Sequence, residues 1–231
     1  RESGVYCEIH PFNAVTENTL KAYAPKGIIL SGGPASVHEA TTPRAHDAVF
    51  DLGVPVFGIC YGEQTMVQQM GGQVQASTHR EFGRAFVEIK SDCCLFEGIW
   101  EPGEKHQVWM SHGDRIDAIP DGFEVVGTSD GSPFAIIADD ARKLYGVQFH
   151  PESICSEPFG VTIYRNFCDI SDRFWTELDD RDSDGKADAS PLAPDPTTTV
   201  PTGMDPANVA ETKQSDKKSS EEMKTNTKKL N

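Results

Sequence analysis

The sequence contains no long apolar run: none of its 231 residues lies in a stretch approaching the ~20 apolar residues that cross a bilayer. It is also poor in positive charge. Lys and Arg number 21 against 36 Asp and Glu, a net charge of -15. No basic stripe appears in its apolar part, which argues against nucleic acid or an anionic membrane as the main partner. None of its six cysteines (Cys7, Cys60, Cys93, Cys94, Cys155, Cys168) forms a CxxC pair. A structural zinc is therefore not expected, and no metal is assigned. A domain this rich in apolar strands does not need disulfides, so reduced thiols in the cytoplasm are the expectation. Large apolar residues almost vanish after about residue 178, and the segment beyond is rich in Asp, Ser, Thr, Pro and Lys. Such a segment cannot bury enough surface to offset its ordering entropy. The expected organisation is a folded domain over residues 1–178 and a disordered polar tail over 179–231.

Within residues 1–178 the pattern is that of an α/β domain. Val5–Ile9, Gly27–Leu30, Val54–Ile59 and Leu144–Phe149 are short, rich in Val, Ile, Leu or Phe, and bounded by turn residues. They read as strands buried on both faces. Pro55 has to sit at the start or edge of its strand. Between them the spacing predicts helices from Thr42-Pro43 to Leu52, from Glu63 to Met70 before Gly71-Gly72, and from Pro158 to about Trp175. Alternating strand and helix imply an open, mainly parallel sheet flanked by helices. Shorter alternating runs at Phe86–Ile89, Gln107–Met110, Phe123–Val126 and Phe134–Ile137 predict antiparallel strands added to that sheet.

One turn carries chemistry. Gly58-Ile59-Cys60-Tyr61-Gly62 joins a predicted strand to a predicted helix with the G-x-nucleophile-x-G spacing of a nucleophile elbow. The flanking glycines allow a turn in which a Cβ would meet backbone. The cysteine then sits at a helix N-terminus, where free N–H groups and the helix dipole favour a thiolate. A lone cysteine in such a turn is more often a buried structural residue. A nucleophile needs a base, and the base an orienting group. Phe149-His150-Pro151-Glu152 follows the last strand. Of the seven histidines only His150 combines a strand end with a carboxylate just across a proline. Ligands of open α/β sheets gather at the carboxyl edge of the strands, where both segments end. Ser31-Gly32-Gly33-Pro34 ends another strand there. It lacks the Lys and Ser/Thr of a phosphate loop and suits an oxyanion donor better.

With these segments assembled, the chain resembles the class I, triad-type glutamine amidotransferases, and within them the glutaminase domains of GMP synthetases. The resemblance runs from the start to about Trp175-Thr176. It rests on Gly4–Glu8, Gly27–Pro34, Gly53–Gly62, Arg80-Glu81-Phe82-Gly83, Val108–Asp114 and Tyr145–Glu152. It implies a flavodoxin-like fold and the hydrolysis of L-glutamine to glutamate and ammonia. Cys60 would be the nucleophile, His150 the base and Glu152 its orienting group. The N–H groups of Gly33 and Tyr61 would form the oxyanion hole. Gln64, Ser111, His112, Gly113 and Asp114 would contact glutamine, the last four on a loop. It assigns Glu81 no contact.

The resemblance also implies a partner: an ATP-pyrophosphatase domain or subunit that uses the ammonia to aminate xanthosine monophosphate (XMP) to GMP. ATP and magnesium belong to that domain, and no cofactor is expected on this chain. Family members begin with a strand ending Asp-Phe-Gly-Ser-Gln and a helix; here the chain starts at Arg1 without them. A piece of a longer product, with exposed apolar strand edges, is therefore expected. Ser153–Ser156 stands where the family has Val-Thr-His-Thr, and Glu63 where it often has Met. Other readings are a free-standing glutaminase, a γ-glutamyl peptidase, or a non-catalytic interaction module.

Overall fold

The sheet is built from seven strands in the order β1-β2-β7-β6-β5-β3-β4. A computed structural model describes residues 3–183 except Ala40 and Glu157, and leaves out the side chains of 77–79 and 177–183. β1 (Ile28–Leu30), β2 (Val56–Ile59) and β7 (Leu144–Val147) pair in parallel. β6 (Ile136–Asp139), β5 (Glu124–Thr128), β3 (Gln73–Ile89) and β4 (Lys105–Ala118) extend the sheet from β7 with antiparallel pairings throughout. The α/β class and the added antiparallel strands are as the sequence suggests. The balance falls further to the antiparallel side, because β3 and β4 are far longer than their apolar cores.

Alternation along β2 and β7 sorts the core into two layers. Phe57, Ile59, Tyr145 and Val147 face one side, where Tyr164 and Phe167 of α4 (Phe159–Ser183) pack on Phe57. Val56 and Leu144 face the other, together with Met66 and Val67 of α3 (Tyr61–Gln69). α3 stops as expected at Gly71, whose φ of 95° is left-handed. The Gly72 N–H closes back on the Val67 carbonyl at 2.9 Å, a Schellman-type end. The described residues belong to the unit Arg1–Pro194. None of their helices is long and apolar enough to cross a membrane.

Three expectations are corrected. Val5–Ile9 is not a buried strand: it lies outside the sheet, and Ile9 is 98% exposed. The sheet ends at β1 on one side, and Val5–Ile9 is not among its strands. The helix expected over 42–52 shrinks to α2 (Ala48–Asp51). Gln69 of α3 bonds both the N–H and the carbonyl of Ala45, at 3.0 and 2.9 Å, and so diverts that backbone from helical pairing. The last helix runs past Trp175 to Ser183, so residues 179–183 are helical rather than tail. The rest of the expected tail lies outside the described residues. One helix, α1 (Glu17–Tyr23), carries no apolar stripe to announce it. A reciprocal box between Thr16 and Thr19 starts it.

Packing is very tight where α3 meets β1. A Cβ on Gly62 would lie 2.0 Å from the Leu30 carbonyl oxygen and 2.6 Å from its carbon. Backbone cannot yield that far without moving the strand. Gly62→Ala is expected to destabilise the domain by about 3 kcal/mol, the upper range of overpacking costs, measured as the shift in urea midpoint. A change near zero would show that α3 is free to lift away.

Candidate active site

Cys60 occupies the residue between β2 and α3 at φ 52°, ψ -109°. A left-handed φ is costly for a residue with a Cβ and persists only where surroundings enforce it. Here the Cys60 N–H bonds the Val147 carbonyl of β7 at 2.7 Å, and its own carbonyl accepts from Gln64 N–H at 3.1 Å. The elbow is thus pinned to the neighbouring strand on one side and to the helix on the other. Cys60 is 4% exposed and stands at the N-terminus of α3. Its thiol donates to the Ser111 carbonyl at 3.6 Å.

Because β1, β2 and β7 are adjacent and parallel, the segments after them converge. A Cβ on Gly32 would lie 3.0 Å from His150 Cε1 and 3.6 Å from Cys60 Cβ. A Cβ on Gly33 would lie 3.7 Å from Tyr61 Cδ1. Any side chain at Gly32 would crowd the base and touch the nucleophile. His150 Nδ1 meets Glu152 Oε1 at 2.7 Å. Its Nε2 is buried and makes no hydrogen bond of good geometry, so the thiol acts on the ring through proximity. Cys60 first and Glu152 second push the imidazole pKa up to about 10, against the opposing effect of burial. Half-burial disfavours ionised Glu152. The bond to His150 and the nearby Tyr164 hydroxyl outweigh it and hold the carboxyl below its usual value. Together these groups favour the imidazolium form of His150.

The loop expected at Ser111–Asp114 is instead part of β4, paired with β3 across a register shift. Ser111 is exposed, Gly113 and Asp114 are half-buried, and His112 is 3% exposed. The His112 ring is fully engaged: Nδ1 with the Asp114 carbonyl at 2.9 Å, Nε2 with Glu81 at 3.1 Å. Glu81 also accepts from the Ser129 hydroxyl at 3.0 Å and the Gly131 N–H at 3.1 Å. Partial burial opposes its ionisation, yet these bonds hold its carboxyl below the usual value. This gives Glu81, which the sequence left without a contact, a place on β3 opposite His112. Gln64 is buried under β4. Its amide donates to the Asp114 carbonyl and to Gln148 Oε1, both at 2.9 Å. Gln64 and His112 therefore brace β4 from below, while Ser111 fronts the thiol.

Sequence reasoning did not single out Tyr164. Only the turn of α4 over His150–Glu152 shows that its hydroxyl reaches the carboxylate. A surface cavity of about 670 Å³, lined by Glu97, Asn166, Asp169, Asp172, Arg173 and Thr176, contains no triad residue. The site is identified by its convergent groups rather than by concavity. Among the described residues no group of His, Cys, Asp and Glu is placed to hold a metal ion.

Replacing Glu152 by Gln keeps the shape and removes the charge that helps hold His150 protonated. The His150 titration, followed by the NMR signal of its Cε1 proton, is expected to move well below a midpoint of about 10. An unmoved midpoint would mean that Glu152 does not act on the ring.

The chain is similar to known proteins. The class-I glutamine amidotransferase profile matches residues 1–170. GMP synthase [glutamine-hydrolyzing] of Rhizobium etli is 59% identical over 167 residues, covering 72% of this chain and 32% of that protein. The same-named protein of Brucella melitensis is 55% identical over the same length. The chain therefore spans about a third of the length of these relatives. Among solved structures, a putative GMP synthase subunit from Thermoplasma acidophilum matches with a TM-score of 0.58 at 27% identity, over 71% of this chain and 83% of that one. The chain belongs to the class-I glutamine amidotransferase family.

Proposed function

We propose that this chain hydrolyses L-glutamine through Cys60, His150 and Glu152, and that the ammonia aminates XMP to GMP on an ATP-pyrophosphatase domain or subunit. The observation that carries the reading is the placement of His150, which has Glu152 on Nδ1 and is left with Nε2 for the Cys60 thiol. The Cys60 thiolate attacks the side-chain amide carbon of glutamine. The N–H groups of Tyr61 and Gly33 receive the negative oxygen, and His150 returns its proton to the departing ammonia. A γ-glutamyl thioester remains on Cys60. Water, deprotonated by His150, cleaves it to glutamate. The Ser111–Asp114 stretch holds the α-amino and α-carboxylate groups, with Gln64 and His112 fixing the strand that presents them. ATP and magnesium act on the synthetase part. Six free thiols are compatible with the cytoplasm as the place of work.

The relatives named GMP synthase support the choice of acceptor. Glutamate release from glutamine tests the first half. Cys60→Ala is expected to lower it by roughly a millionfold, the scale seen when a nucleophile is removed. Activity that survives the substitution sinks the assignment of Cys60. Adding an ATP-pyrophosphatase subunit, ATP, magnesium and XMP should convert part of the released ammonia to GMP. Glutamate without GMP would point to a free-standing glutaminase.

A further inference from the structure

Three residues beyond the nucleophile, the first turn of α3 buries Glu63 completely. Neither carboxyl oxygen has a hydrogen-bond partner. The side chain has its own seat. Gly58 of β2 and Gly146 of β7 are register partners, and both open toward α3. A Cβ on Gly146 would lie 2.6 Å from Glu63 Cγ and 2.9 Å from Oε1. One on Gly58 would lie 2.8 Å from the Glu63 backbone. The notch therefore joins the strand that leads to Cys60, the strand that leads to His150, and the turn between Cys60 and the rest of α3.

We propose that Glu63 is a positioning residue, a neutral acid wedged into the two-glycine notch that sets Cys60 against His150, and that its ionisation switches the site off as pH rises. An unpaired carboxylate is expelled from a dry interior unless something compensates it. Gly58 and Gly146 bring only backbone, and Ile137 of β6 beside Gly146 brings hydrocarbon. Among the described residues the one titratable group that acts on it is Cys60, whose ionised form would have the same sign. Burial first and Cys60 second push the Glu63 carboxyl well above its usual value. Once ionised, Glu63 can be accommodated only by leaving the notch, and the first turn of α3, with Cys60 at its head, must move with it. Because the folded-state pKa is raised, the stabilising effect of the wedge is complete below the ordinary Glu value and is lost as pH rises through the folded value.

The consequence for activity rests on the glutaminase reading, so the test has one arm that needs no turnover. In the full chain, kcat/KM for glutamate release is measured against pH for wild type, Glu63→Gln and Glu63→Met, each normalised to its own maximum. The wild-type alkaline limb is expected at lower pH than that of either variant, falling roughly tenfold per pH unit once Glu63 ionises. In parallel, alkylation of Cys60 by iodoacetamide is followed on the Cys60 peptide by mass spectrometry. The wild-type rate divided by the Glu63→Gln rate should fall across the same pH range. Superimposable kcat/KM profiles together with a flat alkylation ratio overturn the proposal, even if both variants are slower throughout, since that reports packing alone. Absent turnover in wild type would overturn the glutaminase reading, while the alkylation ratio would still decide for or against Glu63. Met keeps the length without any titratable atom, so the arms survive should the Gln variant fail to fold.

Discussion

The structure depends on how closely the first turn of α3 is brought down on the ends of β1 and β2. Only glycine at 62 lets the helix touch the Leu30 carbonyl, and only glycine at 58 lets it lie over the strand it has just left. That approach forces Cys60 to φ 52°. The cost, of order 1–3 kcal/mol for such a conformation, is met by the surrounding contacts rather than by the turn. The Cys60 N–H is tied to β7 and its carbonyl to Gln64, and α3 is buried from Tyr61 through Val67. The nucleophile is strained because the core around it is not.

The same approach sorts three carboxyls into different states. Glu152 lies half in solvent with a histidine against it, and is held ionised. Glu81 is more enclosed but takes bonds from His112, Ser129 and Gly131, and is likewise held below its usual value. Glu63 is enclosed and has no partner, so its value moves the other way. Desolvation opposes charge at all three, and partners decide which of them overcome it. Sequence distance from the nucleophile does not predict the state: Glu63, three residues away, is the neutral one.

What was legible in the sequence depends on how locally each feature is determined. The elbow could be read because two glycines at fixed spacing between a strand and a helix have few other uses. His150 and Glu152 could be read because Pro151 holds them two residues apart at a strand end. Strand-forming cores announced themselves by Val and Ile. The failures share a cause, since each depends on a partner distant in the chain. Val5–Ile9 has the composition of a strand, but composition does not supply a ladder. Residues 42–47 have helical spacing, but Gln69 takes the Ala45 backbone. His112 sits in a stretch rich in Gly and Asp that reads as a turn; β3 across from it makes it a strand, and Glu81 makes its ring a brace. Tyr164 is apolar by pattern and polar by use.

The antiparallel extension explains why a site at the end of three short parallel strands is enclosed. β4 is the last strand of the sheet, yet it returns to the catalytic edge, where the Ser111 carbonyl receives the Cys60 thiol. Its outer edge is not left open. The His150 N–H bonds the Trp109 carbonyl at 2.9 Å, and the Trp109 N–H bonds Ser156 Oγ at 3.3 Å. Ser156 Oγ in turn donates to the His150 carbonyl at 2.7 Å. The segment that carries the base therefore also caps an edge strand, a position that otherwise invites pairing with another chain. The backbone of the base and the closure of the sheet share one set of hydrogen bonds, so the His150 main chain cannot shift without exposing the β4 edge. A histidine on a short loop is held as firmly as one on a strand, because for those residues the loop serves as the next strand.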